Sequence, residues 1–213
     1  MNMLRHPYAT LIRDISPVTP SGAPARSIAG DVVEVRAQLV RDGHDELAAR
    51  LRWRRVDGAA DRKERRWAVA PVGVEHSGGA VGSFRPRSPG RYEFEIQAWA
   101  DRAATWRRDL RLRAGAGEDL EVEFEVGAQL LERLVDQVAR RDRERLRDAI
   151  EQLRDRACTE RVRLTAALDD AVAALTAAVP DPDDLTTSSR LTLRVDPELA
   201  VRGAWYEFFP RSE

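Results

Sequence analysis

Three histidines, His6, His44 and His76, are the candidates for proton transfer near neutral pH. A nucleophile working with one of them would be serine or cysteine. Ser77 follows His76 directly, and a Ser77, His76 and aspartate constellation stays open. No strand–nucleophile–helix context surrounds it, so the preferred reading is two solvated loop histidines at 44 and 76. Cys158, the single cysteine, falls beside Ala157 on an apolar stripe and reads as a small buried thiol. One cysteine permits neither an internal disulfide nor a CxxC zinc site. Asp181, Asp183 and Asp184 crowd together but lack the glycine and distal glutamate of a calcium loop, so they read as an acidic loop ending a helix, and no metal site is expected. Glu121, Glu123 and Glu125 alternate with Val122 and Phe124, which places three carboxylates on one solvated strand face. Gly78-Gly79-Ala80-Val81-Gly82 has no following Lys-Ser/Thr, and a hairpin loop accounts for it. No cofactor is implied.

Arginine and tryptophan recur together in Arg52-Trp53-Arg54-Arg55, Arg65-Arg66-Trp67 and Trp106-Arg107-Arg108. Such clusters stack on single-stranded nucleic acid or pack guanidinium on indole inside a protein. The net charge of −1, from 35 basic and 36 acidic residues, favours packing and argues against nucleic-acid and membrane-surface partners. Arginine is spread along the whole chain, with Lys63 as the only lysine. Trp99 stands apart, because alternation puts it on the polar face of its strand. An exposed tryptophan there would stack a sugar ring or dock a neighbouring domain, and docking is preferred.

These residues need elements to carry them. The 213 residues, 43% of them hydrophobic, suit one large or two small domains with a real core. The N-terminus has no apolar run long enough for a signal peptide and nothing later approaches a membrane span, so a cytoplasmic protein is expected. Val33, Val35, Ala37 and Leu39 alternate with polar residues, as do Leu47, Ala49, Leu51 and Trp53, with a turn at Arg41-Asp42-Gly43-His44. Pro89-Gly90 launches Tyr92, Phe94, Ile96 and Ala98. Trp106–Arg113 and Leu120–Val126 read as two more strands. Short strands at this spacing predict an immunoglobulin-like β-sandwich, with Tyr92 as its tyrosine corner.

The period changes at Gly127. Leu131, Leu134, Val138, Leu146, Ile150 and Leu153 form one helical stripe, and Leu168, Val172 and Leu175 a second, ended by Pro180 and Pro182. These stripes must pair with each other or dock elsewhere, as helical packing or dimer contacts. Leu191–Val195 reads as a returning strand. The fold class is therefore mainly β with an inserted helical hairpin or bundle: sandwich over 1–126, insert over 127–189, returning strand over 190–202, and a terminal segment over 203–213. That segment holds Trp205, Tyr206, Phe208 and Phe209, four of the 13 aromatics, and its composition predicts docking into something larger.

Four ordered motifs carry a resemblance. They are Asp42-Gly43-His44-Asp45-Glu46-Leu47-Ala48-Ala49; Pro89-Gly90-Arg91-Tyr92-Glu93-Phe94 with Ala98-Trp99-Ala100-Asp101-Arg102; Ala104-Thr105-Trp106-Arg107-Arg108-Asp109-Leu110; and Gly203-Ala204-Trp205-Tyr206-Glu207-Phe208-Phe209-Pro210-Arg211-Ser212. Together the chain resembles the α-1,4-glucan:maltose-1-phosphate maltosyltransferases. The resemblance implies an N-terminal sandwich with a helical insert, followed by an α-amylase-type (β/α)₈ barrel that holds the nucleophilic aspartate, the acid/base glutamate and the maltosyl phosphate pocket. No residue of this sequence matches a catalytic motif of that barrel. It further implies that Trp205, Tyr206, Phe208 and Phe209 lead into the barrel, that sandwich and insert serve homodimer formation, and that the chain by itself is inactive. An α-1,4-glucan held at Trp99, or a stand-alone assembly protein, are the alternatives.

Overall fold

The computed structural model describes residues 10–58 and 60–201. Among these residues nine strands form a single sheet: β1 (Leu11–Ser16), β2 (Ala25–Ile28), β3 (Val33–Val40), β4 (Leu47–Arg55), β5 (Ala68–Val74), β6 (Gly79–Phe84), β7 (Gly90–Ala100), β8 (Thr186–Thr187) and β9 (Leu191–Asp196). Their order is β1-β3-β6-β5-β4-β7-β9-β2, with β8 added to β7 beyond the end of β9. Pairing is antiparallel except between β2 and β9. The sheet curls. Phe84 of β6 and Phe94 of β7 are separated by two strands in the sheet, yet their rings lie 6.1 Å apart, and Trp53 of β4 stacks on Phe84 at 5.1 Å. The inward residues Val35, Leu39, Leu51, Ile96, Leu193 and Val195 fill one core inside this curl. This is the mainly β, sandwich-like fold with a helical insert that the alternation predicts.

Tyr92 is fully buried and its hydroxyl donates to the Ser88 carbonyl at 2.8 Å, four residues upstream. That is the tyrosine-corner bond. Burial pushes the phenol pKa up, since the charged form loses its water.

Two predicted strands are helices instead. Trp106–Arg113 lies in α1 (Arg102–Gly115), and Leu120–Val126 leads into α2 (Glu121–Val135). Asp101 starts α1 as its N-cap, its Oδ1 accepting from the Ala104 amide at 2.8 Å. The apparent alternation of Val122, Phe124 and Val126 misleads. The buried positions are Leu120, Phe124, Gly127, Ala128 and Leu131, one helical face, while Val122 stays 72% exposed. Helical structure thus runs from Arg102. The predicted long helices are each divided in two. Residues 140–142 form a 3₁₀ turn between α2 and α3 (Arg143–Arg154). Leu168 and Asp169 separate α4 (Glu160–Ala167) from α5 (Asp170–Ala177), and Asp169 caps α5 by accepting from the Val172 amide at 2.8 Å. Cys158 consequently sits in the α3–α4 connection, half-buried, not on a helical stripe.

The helices have their own core of Trp106, Leu110, Phe124, Leu131, Ile150, Leu153 and Val172, among others. Trp106 joins α1 to α2: its Nε1 donates to the Glu123 carbonyl at 2.9 Å, and its ring lies on the bare backbone of Gly127. A Cβ at 127 would overlap that ring. Arg163, buried, crosses from α4 over the Phe124 ring at 4.2 Å and donates to the last carbonyl of α3's core face, Leu153, at 3.0 and 2.8 Å.

Two stability predictions follow from these contacts. Gly127→Ala adds helix propensity of up to about 1 kcal/mol, yet it should destabilise by about 1–3 kcal/mol through overpacking against Trp106. Urea unfolding should show a lower midpoint with an unchanged slope. Tyr92→Phe should cost about 1 kcal/mol by removing the donor from the part-buried Ser88 carbonyl, read as a lower urea midpoint.

Candidate functional site

The sheet and the helices meet along a seam built from charged and polar groups. Three segments converge there: the β3–β4 turn, the β7–α1 joint at Ala100-Asp101, and the loop that returns from α5 to β8. Arg41 forks onto Asp184, its Nη1 lying 2.7 and 2.9 Å from the two carboxylate oxygens. Both side chains are under a tenth exposed, at 9% and 7%. The same guanidinium reaches Thr10 Oγ1 at 3.3 Å and Asp45 at 3.4 Å. Asp184 Oδ2 also accepts from the Ala100 amide at 2.7 Å. On the other side of the joint, Arg108 of α1 pairs with Glu46 at 3.0 Å and donates to the His44 carbonyl. The Glu46 amide donates to Thr105 Oγ1 at 2.9 Å, and the Asp101 amide donates to the Glu46 carbonyl at 2.8 Å.

Asp101 and Arg107 are both buried beside the joint. Desolvation raises the Asp101 pKa and lowers that of Arg107, each charge only partly offset by the other and, for Asp101, by its capping amides. Arg107 Nη2 donates to Thr176 Oγ1 of α5 at 2.9 Å. Asp101 lines three clefts of about 330, 440 and 480 Å³ that surround the seam.

Trp99 is where the sequence reading needs correction. It does project from the outer face of β7, but it is only 2% exposed. It lines one cleft together with Leu130, Leu134 and Val179, and another with Ala174 and Ala177, so the chain's own helical segment closes over it. Arg50 covers its ring at 5.9 Å. It is therefore not an open stacking platform. Trp205, Tyr206, Phe208 and Phe209 lie outside the described residues.

The helical stripe residues point into the chain. Leu131, Leu146 and Leu153 are fully buried, Val138, Ile150 and Val172 nearly so, and Leu134, Leu168 and Leu175 are half-buried. What the helices expose is different: Val122, Leu112, Val162 and Val126, at 72%, 67%, 45% and 39%.

The remaining candidates are scattered into structural roles. His44 and His76 both line one 320 Å³ cleft between two turns of the sheet. Ser77 Oγ lies 3.2 Å from Glu75 Oε2, a carboxylate rather than an imidazole partner. Cys158 Sγ contacts Asp155 at 3.2 Å, and that carboxylate pushes the thiol pKa up, away from a reactive thiolate. Glu121, Glu123 and Glu125 do not share a face. On α2 they turn to Arg163, Arg113 and Arg154 respectively. Of the acidic loop, Asp184 holds Arg41 and Asp181 holds Arg102 at 3.4 Å. Among the described residues, no group of three or more His, Cys, Asp or Glu is placed to hold a metal ion. Of the arginine–tryptophan clusters, Trp53 is a core residue, Trp106 a helix clamp, and Trp67 a half-buried tile on the guanidiniums of Arg52 and Arg54 at 4.7 and 4.5 Å.

The polar seam itself was not anticipated. Arg41 and Asp184 stand 143 residues apart, and no local pattern couples them. One signal was present: Asp101, placed directly after a strand and three residues before Ala104, is an N-cap signature for α1.

Residues 9–197 match the family description "Alpha-1,4-glucan:maltose-1-phosphate maltosyltransferase, domain N/S". The chain is 37% identical over 204 residues to alpha-1,4-glucan:maltose-1-phosphate maltosyltransferase 1 of Streptomyces coelicolor, covering 95% of this chain and 30% of that protein. It is 35% identical to the enzymes of that name from Corynebacterium glutamicum and Mycobacterium tuberculosis, covering 94% of this chain in each case and 30% and 32% of theirs. The chain thus spans under a third of the length of these relatives. With almost its whole described length matched, the chain belongs, through its N/S domain, to the α-1,4-glucan:maltose-1-phosphate maltosyltransferase family.

Proposed function

We propose that this chain is the non-catalytic N-terminal region of a maltosyltransferase, and that it supplies homodimer contacts and a docking face for a catalytic barrel. The observation that carries this reading is the lopsided coverage: 95% of this chain aligns to 30% of its relatives. The whole protein of this reading moves maltosyl units from maltose 1-phosphate to α-1,4-glucan with retention, through a glycosyl-enzyme aspartate. In this reading that chemistry belongs to the part of the whole protein outside this chain.

The surface supports the two roles at opposite ends. Val122 and Val126, one turn apart on α2, give the helical segment an outward apolar strip of the kind that interfaces use. At the other end of the sheet, Pro24, Pro89, Val195 and Pro197 border a 740 Å³ cleft beside the end of β9. In this proposal the barrel docks there. No helix among the described residues is long and apolar enough to cross a membrane, and a cytoplasmic location is part of the same proposal. The glucan-platform alternative loses its footing with the burial of Trp99.

Sedimentation equilibrium of the chain should show a dimer, and Val122→Glu with Val126→Glu should shift it to monomer with an unchanged circular dichroism spectrum. A wild-type monomer at all concentrations, or a double variant that dimerises as tightly, would overturn the dimer role. Incubated with maltose 1-phosphate and maltohexaose, the chain should release no phosphate. Turnover by a clean preparation would show that the region is not merely a scaffold.

A further inference from the structure

The sheet and the helical segment have separate hydrophobic cores that share no residue. The first is filled by β2, β3, β4, β6, β7 and β9, the second by α1 to α5. Between them stand the hydrogen-bonded groups of the seam, the three clefts, and Trp99, a buried tryptophan that belongs to neither core. Two apolar bodies joined through polar contacts and clefts behave unlike a continuous core. Each keeps its own core when they separate, because what breaks is the set of hydrogen bonds across the seam and the cover over Trp99, and neither core loses a residue.

The chain crosses the seam twice, and the two crossings differ. The outgoing one is short, a single joint: Ala100 ends β7, Asp101 caps, and Arg102 begins α1. The returning one is the stretch from 178 to 185, containing Pro180 and Pro182, with no helix or strand of its own. Asp184 ties the two together. One carboxylate accepts from the Ala100 amide of the outgoing crossing while it holds Arg41 of the β3–β4 turn.

We infer that the helical segment is an articulated body, hinged at Ala100-Asp101 and latched to the sheet by Asp184. Closed, the latch fixes the helices over Trp99. With the latch released, the returning loop is freed from the sheet, and α1 is held to the β3–β4 turn on the other side of the joint by Arg108, on Glu46 and the His44 carbonyl, and by Thr105, on the Glu46 amide. The helices then swing on one joint as a folded unit, and the clefts lined by Trp99 widen. This goes beyond the proposed scaffold role and stands whether or not the chain dimerises.

The test uses the full chain. Spin labels placed by Ser83→Cys on β6 and Arg147→Cys on α3, both exposed, in a Cys158→Ser background and diluted with unlabelled protein, should give one narrow distance distribution. Asp184→Ala should broaden it at least about twofold with the circular dichroism spectrum unchanged, since both bodies stay folded as one swings on the other. A distribution that Asp184→Ala leaves as it was overturns the inference, and so does one already as broad in the wild type, where the latch is intact. Should Asp184→Ala not fold, Asp184→Asn and Arg41→Gln put the same question with the same two outcomes.

Discussion

The Arg41–Asp184 pair carries an unusual share of this architecture. Two charges removed from water cost several kcal/mol each unless their attraction is matched by complete hydrogen bonding. Here the match is one-sided: the Asp184 carboxylate is well supplied, with Nη1 of Arg41 across both oxygens and a backbone amide on one of them, whereas the buried Nε of Arg41 makes no hydrogen bond and has the Asp45 carboxylate at 3.4 Å. The pair joins the β3–β4 turn to the loop that leads into β8, so it closes the curled sheet on the side where β1 approaches β8. The same loop is the last part of the helical excursion. The same pair therefore closes the sheet at this corner and seats the helices on it. Losing either partner strands the other as a buried charge, which typically costs about 3–5 kcal/mol.

This helps explain which parts of the fold were legible in the sequence. Strands β3, β4 and β7 announce themselves because one face of each is buried in the sheet's core and the other is polar, so period 2 survives in the residues. The tyrosine corner was readable for the same reason, since Pro89-Gly90 fixes where β7 begins. Helix α2 was misread because its first two turns mix Val122 and Val126 with glutamates. Two exposed valines there imitate the inward residues of a strand. Trp99 shows the limit of alternation itself. The period says correctly which face of β7 it occupies, but not that helices 30 to 80 residues later fold over that face. Burial of an outward residue is decided by topology, and topology is not local.

The abundance of arginine now has a structural meaning at particular places. Along β4 the outward residues Arg50, Arg52 and Arg54 stand in register with Gln97, Glu95 and Glu93 of β7, and each reaches its cross-strand partner, at 2.8, 3.2 and 2.9 Å. Trp67 then lies across Arg52 and Arg54. A planar, weakly hydrated guanidinium serves both purposes, forking onto a carboxylate and stacking under an indole, where a lysine ammonium would serve one. The clusters that resembled a nucleic-acid surface are a layer laid on the sheet. The net charge near zero is the same fact seen from outside, because the arginines are largely neutralised by neighbouring acids.

The helical stripes lead to a last step. A stripe of leucines at helical spacing demands burial, and two burials satisfy it equally at the level of sequence: within the chain, or against a second copy. The structure assigns Leu131, Leu146, Leu153 and Val172 to the first. That assignment moves the question of partners to a different set of residues, the valines of α2 that no internal core requires. In a helix whose inward face is complete, an apolar outward residue contributes nothing to folding and carries a solubility cost. Val122, at 72% exposed and one turn from Val126, is therefore better evidence for an interface than any residue of the leucine stripes.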